Sequence, residues 1–149
     1  MRFSLALILL LSGCVTIVLP VREETPDVIA RRTLRRGQRE AEERQAELRG
    51  ESLDALAKTA VRVASDVQAW ALKPAAFGGG DGALDGVTLD QLGYIADGDR
   101  YHTLDGVFWL APDSAAVLIH GESHVFGHSV TARVAGLSAR DLSLTVRPR

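Results

Sequence analysis

Four hydropathy regimes follow one another along this chain. From Phe3 to Val21 the run FSLALILLLSGCVTIVLPV carries no charge. Its 19 residues, at about 1.5 Å each, span ~28 Å as a helix, close to the ~30 Å hydrocarbon thickness of a bilayer. The next stretch, RRTLRRGQREAEERQAELRG, is almost wholly polar. Opposite charges recur four residues apart in it, Arg36 with Glu40, Arg39 with Glu43 and Glu40 with Arg44, as in a solvated helix. Leu53, Leu56, Ala60, Val63, Val67 and Trp70 then return at spacings of three and four, which is one apolar face of a helix. Thr25-Pro26 suits its start and Lys73-Pro74 its end, because the residue before a proline is pushed out of helical geometry.

Beyond the glycine-rich AAFGGGDGALDG the period falls to two. Four strands are predicted, Val107–Ala111, Ala115–Ile119, His128–Val134 and Leu142–Val146, with turns at Pro112-Asp113-Ser114, Gly121-Glu122-Ser123 and Ala135-Gly136. Val130, Ala132 and Val134 alternate with Ser129, Thr131 and Arg133, and Leu142, Leu144 and Val146 with Ser143 and Thr145. One apolar face per strand implies a sheet that needs a single cover, and the amphipathic helix half needs the same. The expected fold is therefore α+β: a long N-terminal helix packed on a small antiparallel sheet of about four strands. Leu56, Val63, Val67 and Trp70 form the expected helix–sheet core. The organisation is residues 1–21 as membrane anchor, 22–52 as polar helical stalk and 53–149 as head.

The anchor admits three readings. Its length fits a retained transmembrane helix seated through residues such as Leu5, Leu9 and Val18. Leu11-Ser12-Gly13-Cys14 also matches the pattern before a lipidated cysteine, although the run stays apolar for seven residues after Cys14. A cleaved secretory signal is the least favoured, because no small-x-small exit precedes the polar region. The retained helix is preferred, and all three send the chain to the export pathway. Arg22, Arg31, Arg32, Arg35, Arg36 and Arg39 follow the span and on their own favour a cytoplasmic C-terminal part. Acidic residues interleaved with them weaken that bias, and Arg31 to Arg39 would also suit anionic lipid headgroups.

Composition narrows the function classes. The 149 residues carry a formal charge of -2, which gives no basic excess to recruit nucleic acid. Cys14 is the single cysteine, so the exported part has no disulfide and no redox motif. Three glycines at 78–80 leave a helix instead of leading into one, and no Lys-Ser or Lys-Thr follows, so the phosphate-loop reading fails. His120, His124 and His128 recur every fourth residue and would share a side of an unbroken strand. A hairpin at Gly121–Gly127 would scatter them, and no metal is expected. Ser123 lacks a nucleophile elbow, and no spacing selects a pair among Asp97, Asp99, Asp105 and Glu122. Asp97-Gly98-Asp99 lacks the twelve-residue calcium pattern. Of neighbours Phe108 and Trp109, one belongs in the core and the other on the surface. No catalytic residue and no cofactor is expected.

The order of apolar helix, polar continuation, amphipathic half, loop and antiparallel sheet resembles the type IV pilins and the pseudopilins of type II secretion. Leu19-Pro20 is similar to the proline that kinks the pilin helix. Asp66-Val67-Gln68-Ala69-Trp70 through Lys73-Pro74 to Gly78-Gly79-Gly80, then Leu84-Asp85-Gly86 and Leu89, resembles a Bacteroidetes-type pilin-like group with a Lys-Pro and glycine-run signature. The resemblance does not extend to a basic leader, a glycine at the processing site or a glutamate early in the helix; the apolar run contains no acid. It implies a non-catalytic structural or accessory subunit of an envelope filament or secretion assembly. Such a subunit is single-pass in the inner membrane, with its head exported. Its partners would be membrane lipid, other pilin-like or secretion-system subunits and further copies of itself. The alternative is a lipoprotein anchored at Cys14 with a small ligand-binding head.

Overall fold

A computed structural model describes residues 25–147. Helix α1 runs without interruption over Pro26–Leu72. Pro26 opens it, and the Thr25 carbonyl accepts the first bonds, from the amides of Val28 (2.8 Å) and Ile29 (3.2 Å). The chain divides into two compact units after Gln38, inside this helix. In the first, residues 25–38 are helical from Pro26 and all exposed. In the second, residues 39–51 are exposed too, with the Arg44 guanidinium Nε donating to the Glu40 carbonyl at 3.4 Å. The anchor residues Leu5, Leu9, Cys14 and Val18 lie outside the described residues. Among the described residues no helix is long and apolar enough to cross a membrane.

From Leu53 onward the helix acquires an inner face. Leu56, Ala60, Val63, Ala64, Val67 and Ala71 are fully buried. They meet a five-stranded antiparallel sheet made of β1 (Arg100–His102), β2 (Gly106–Asp113), β3 (Ala116–Ser123), β4 (Ser129–Val134) and β5 (Leu142–Arg147), in that spatial order. Phe108, Val117, Ile119, Val130, Ala132 and Val134 supply the sheet's half of the core. Withdrawing a Leu, Val or Phe side chain from water contributes roughly 1.5–3 kcal/mol, so this seam outweighs any ion pair on the helix surface. Lys58–Asp54, for example, is an exposed pair at 2.6 Å. Trp70, expected in the same core, is half-buried and outside the buried cluster; its indole lies over Gly80.

The antiparallel sheet has one strand beyond the four predicted, the three-residue β1, which is too short to carry an alternation, and one expected turn is corrected. Gly121-Glu122-Ser123 is not a turn but the end of β3, and the reversal falls later, between Ser123 and Ser129. The reason is packing: a Cβ on Gly121 would stand 2.5 Å from the Phe108 ring and 2.8 Å from a Val130 methyl. Gly121 leaves room for the ring that fills the centre of the core, and a strand glycine of this kind resembles a turn signal in sequence. Gly106 does the same on β2, where a Cβ would approach the Glu122 carbonyl to 2.3 Å and Leu56 to 2.7 Å.

The signature around the helix end becomes a set of tethers. Asp66 accepts a hydrogen bond from the Tyr94 hydroxyl, and the Tyr94 ring packs at a tilt on Tyr101 (4.7 Å) and Tyr101 on Phe108 (6.4 Å). The Gln68 amide donates to the carbonyls of Gly136 (2.9 Å) and Ser138 (2.8 Å), holding the β4–β5 connection to the helix. The glycine run then folds back over the helix terminus. Amides of Gly80, Gly82 and Asp81 donate to the carbonyls of Trp70 (3.0 Å), Ala71 (2.7 Å) and Lys73 (3.1 Å), which a helix end otherwise leaves unpaired. So close a return needs bare backbone, since a Cβ on Gly79 would lie 2.1 Å from the Lys73 carbonyl oxygen.

Two predictions follow from this packing. Gly121→Ala lowers stability by about 1–3 kcal/mol through overpacking, whereas Gly50→Ala, with nothing within 4 Å of its Cβ, raises it by about 0.5–1 kcal/mol; thermal unfolding measures both. Burial, then the Asp66 hydrogen bond and charge, push the Tyr94 hydroxyl well above its usual value of 10. The folded state thus keeps a proton that the unfolded chain releases, and stability falls as pH rises past about 10. Tyr94→Phe removes that slope in denaturant titrations at alkaline pH.

Candidate functional site

The helix covers one face of the sheet, and chemistry collects on the other. In an antiparallel sheet, residues paired across neighbouring strands project on the same side. The register sets Arg100 opposite Trp109, Trp109 opposite His120, His120 opposite Thr131 and Thr131 opposite Thr145, a row crossing all five strands. Its members touch. The Arg100 guanidinium lies 5.3 Å from the Trp109 ring centre, and the Trp109 and His120 rings stack at 5.3 Å and 26°. His120 Nδ1 and Thr131 Oγ1 are 3.1 Å apart and share a hydrogen bond. The adjacent row carries Val107, Glu122, Ser129 and Arg147. Between the rows lies a shallow concavity of about 450 Å³ lined by sheet residues alone, with Trp109, His120, Glu122, Thr131, Thr145 and Arg147 among them.

Burial pushes the His120 imidazole below its ordinary value, so the ring is neutral at pH 7 and can accept as well as donate. The half-buried Trp109 indole packs with both of its strand neighbours, Arg100 and His120. The surface offers hydroxyls, a neutral imidazole, a carboxylate and guanidinium groups around an aromatic ring. Backbone amides of the inner strands β2, β3 and β4 serve ladders on either side, so the face does not present the paired free N–H groups an oxyanion hole needs. It is equipped to hold a polar ligand by hydrogen bonds.

The other candidates disperse. His120 is on this outer face, His124 is exposed in the β3–β4 connection, and His128 is buried beside Phe126 at a ring distance of 6.0 Å. Among the described residues no group of three or more His, Cys, Asp or Glu could hold a metal ion. Asp97-Gly98-Asp99-Arg100 is a tight hairpin turn, with Asp97 and Arg100 exchanging backbone hydrogen bonds at 2.8 and 3.2 Å and Gly98 at φ 65°. Phe108 is the core member of its pair and Trp109 the outer one. A second concavity, about 650 Å³, opens near the helix end between the loop at Leu84–Thr88 and the β2–β3 hairpin. Its lining is mostly small and apolar, including Leu110, Pro112, Ala116 and Leu137.

No protein-family model, curated protein or solved structure matches this chain. Its architecture, a long N-terminal helix packed on a five-stranded antiparallel sheet, is pilin-like. The Arg100–Trp109–His120–Thr131 row escaped sequence reasoning because register is not written in any one strand. The available signal was Trp109 inside one predicted strand and His120 directly after the end of the next.

The row predicts an optical titration. His120 is neutral when folded and takes up a proton below the ordinary histidine range, so its contribution to stability is complete above pH 6.5 and declines as pH falls below that value. In a Trp70→Phe background, Trp109 fluorescence is quenched on acidification with a midpoint below 6.5. His120→Gln abolishes the transition while leaving emission at pH 8 in place.

Proposed function

We propose that this chain is a membrane-tethered, non-catalytic subunit of pilin-like design, structural or accessory in a cell-envelope filament or secretion assembly. The observation that carries the reading is the continuity of α1: one helix over Pro26–Leu72, solvated through residue 51 and buried under a sheet thereafter. A charge-laced helical stretch with no covering layer through residue 51 suits a stalk more than an enzyme scaffold. The uncharged run Phe3–Val21 immediately upstream has the length to anchor it. The head then faces the exported side, and its partners are lipid at the N-terminus and other subunits of the assembly.

A second reading is favoured by the polar concavity on the outer sheet face: a lipoprotein acylated at Cys14 whose head takes a small polar ligand there. Detergent phase separation and lipid labelling discriminate. The uncleaved, unlipidated full-length chain is expected in the detergent phase, and its recovery in water refutes the tether. Incorporation of an alkyne fatty acid that Cys14→Ser abolishes transfers the assignment to the lipoprotein.

A further inference from the structure

The two edges of the sheet are unlike each other. β1 is three residues long and carries Arg100 and His102, the short charged form in which solvated edges are commonly blunted. β5 is twice that length, and its sequence LSLTVR has no proline, glycine or acid and no charge before Arg147. Its register with β4 is regular from Val134–Leu142 to Ser129–Arg147, without a bulge that would twist it away. One side of its backbone therefore has no partner strand among the described residues. Leu144 and Val146 sit on the core face of the sheet, opposite Ala132 and Val130, yet are 39% and 38% exposed where those partners are buried. The apolar cover supplied by α1 stops short of this edge.

What the edge fits can be read from its own sequence. Two copies of β5 laid antiparallel about a twofold axis through Leu144 set Leu144 against Leu144, Leu142 against Val146 and Ser143 against Thr145. Apolar side chains then meet apolar ones on the core face and hydroxyls meet hydroxyls on the other. The same register brings Arg147 opposite Asp141 at both ends. Asp141 is exposed, and its carboxylate accepts the Ser138 amide at 3.0 Å in the 3-10 turn Ala139–Asp141, leaving lone pairs for a guanidinium. Sliding by one residue sets Leu144 against Thr145 or Ser143 and mismatches the two faces. Sliding by two sets Arg140 against Val146, or runs Arg147 against Ser143, and loses the charge match. A single register satisfies faces and charges together.

We propose that β5 is a docking edge for a second copy of this chain, joined through antiparallel β5–β5 pairing centred on Leu144. The product is a continuous ten-stranded sheet with both helices on one face, and the interface is isologous, so it closes at two copies. Each copy shields the Leu144–Val146 flank that the other's helix leaves bare. The inference does not rest on the membrane reading, because it needs only the head.

The test uses the full-length chain in detergent. Light scattering coupled to size exclusion is expected to report a dimer, and Arg147→Glu, which faces Asp141 with a like charge, to weaken association roughly tenfold or more with unchanged circular dichroism. Register is read by cysteine cross-linking in a Cys14→Ser background. Leu144→Cys forms a disulfide dimer on mild oxidation, since directly opposed positions lie about 5 Å apart, and Ser143→Cys does so far less, being offset by two residues. A monomer, a dimer indifferent to Arg147→Glu, or equal cross-linking at 143 and 144 each overturns the proposal. A dimer held through the N-terminal run gives the last two results and is thereby distinguished.

Discussion

Everything in the head depends on one seam, in which the small apolar stripe of α1 lies along the middle of the sheet. Three of its buried members, Ala60, Ala64 and Ala71, are alanines, and they alternate with Leu56, Val63 and Val67. Alanine lets a helix backbone come close, and the sheet answers with Gly106 and Gly121 where its own side chains would intrude. Phe108 occupies the space this creates and touches the aromatic string that leads through Tyr101 to Tyr94 and back to Asp66 on the helix. The tethers at Asp66, Gln68 and the Trp70–Lys73 carbonyls stitch two points of the α1–β1 connection and the β4–β5 connection to the same two turns of helix. Loosening the seam would free all of them at once.

The seam also divides the sheet into two chemical surfaces. Positions facing the helix are committed to packing, so recognition chemistry has only the outer face and the edges. The outer rows bring Trp109, His120, Glu122, Thr131 and Arg147 around one concavity, though they come from four strands spread over nearly forty positions of sequence. Arg100 lies over the Trp109 ring and Trp109 stacks with His120, so this surface is set by stacking and register.

Much of this was legible beforehand. Periodicity in Leu56, Ala60, Val63 and Val67 gave the covered helix face, Lys73-Pro74 gave its end, and alternation in Val130–Val134 gave a strand with the correct inward set. The failures share a cause. Gly121 resembled punctuation because sequence does not distinguish a glycine demanded by a neighbouring ring from one demanded by a turn. β1 was invisible because Arg100–His102 has no room to alternate and exists only through pairing with β2. Trp70 was assigned to the core by spacing, but its size carries it past the alanines around it and onto Gly80. In each case the missing information was the identity of a non-local neighbour.

Chain order has a further consequence. Strands β1 to β5 each pair with the next in sequence, so the sheet can zip up locally, but its cover was synthesised first. From the moment Leu72 leaves the ribosome until Val134 follows, the stripe of α1 has nothing to lie against, an interval of several seconds at roughly 5–20 residues per second. Through that interval Leu56, Val63 and Val67 are a bare greasy ridge on a helix whose other sides are charged. In a nascent chain with this topology that ridge stays open to other apolar surfaces until the fourth strand arrives.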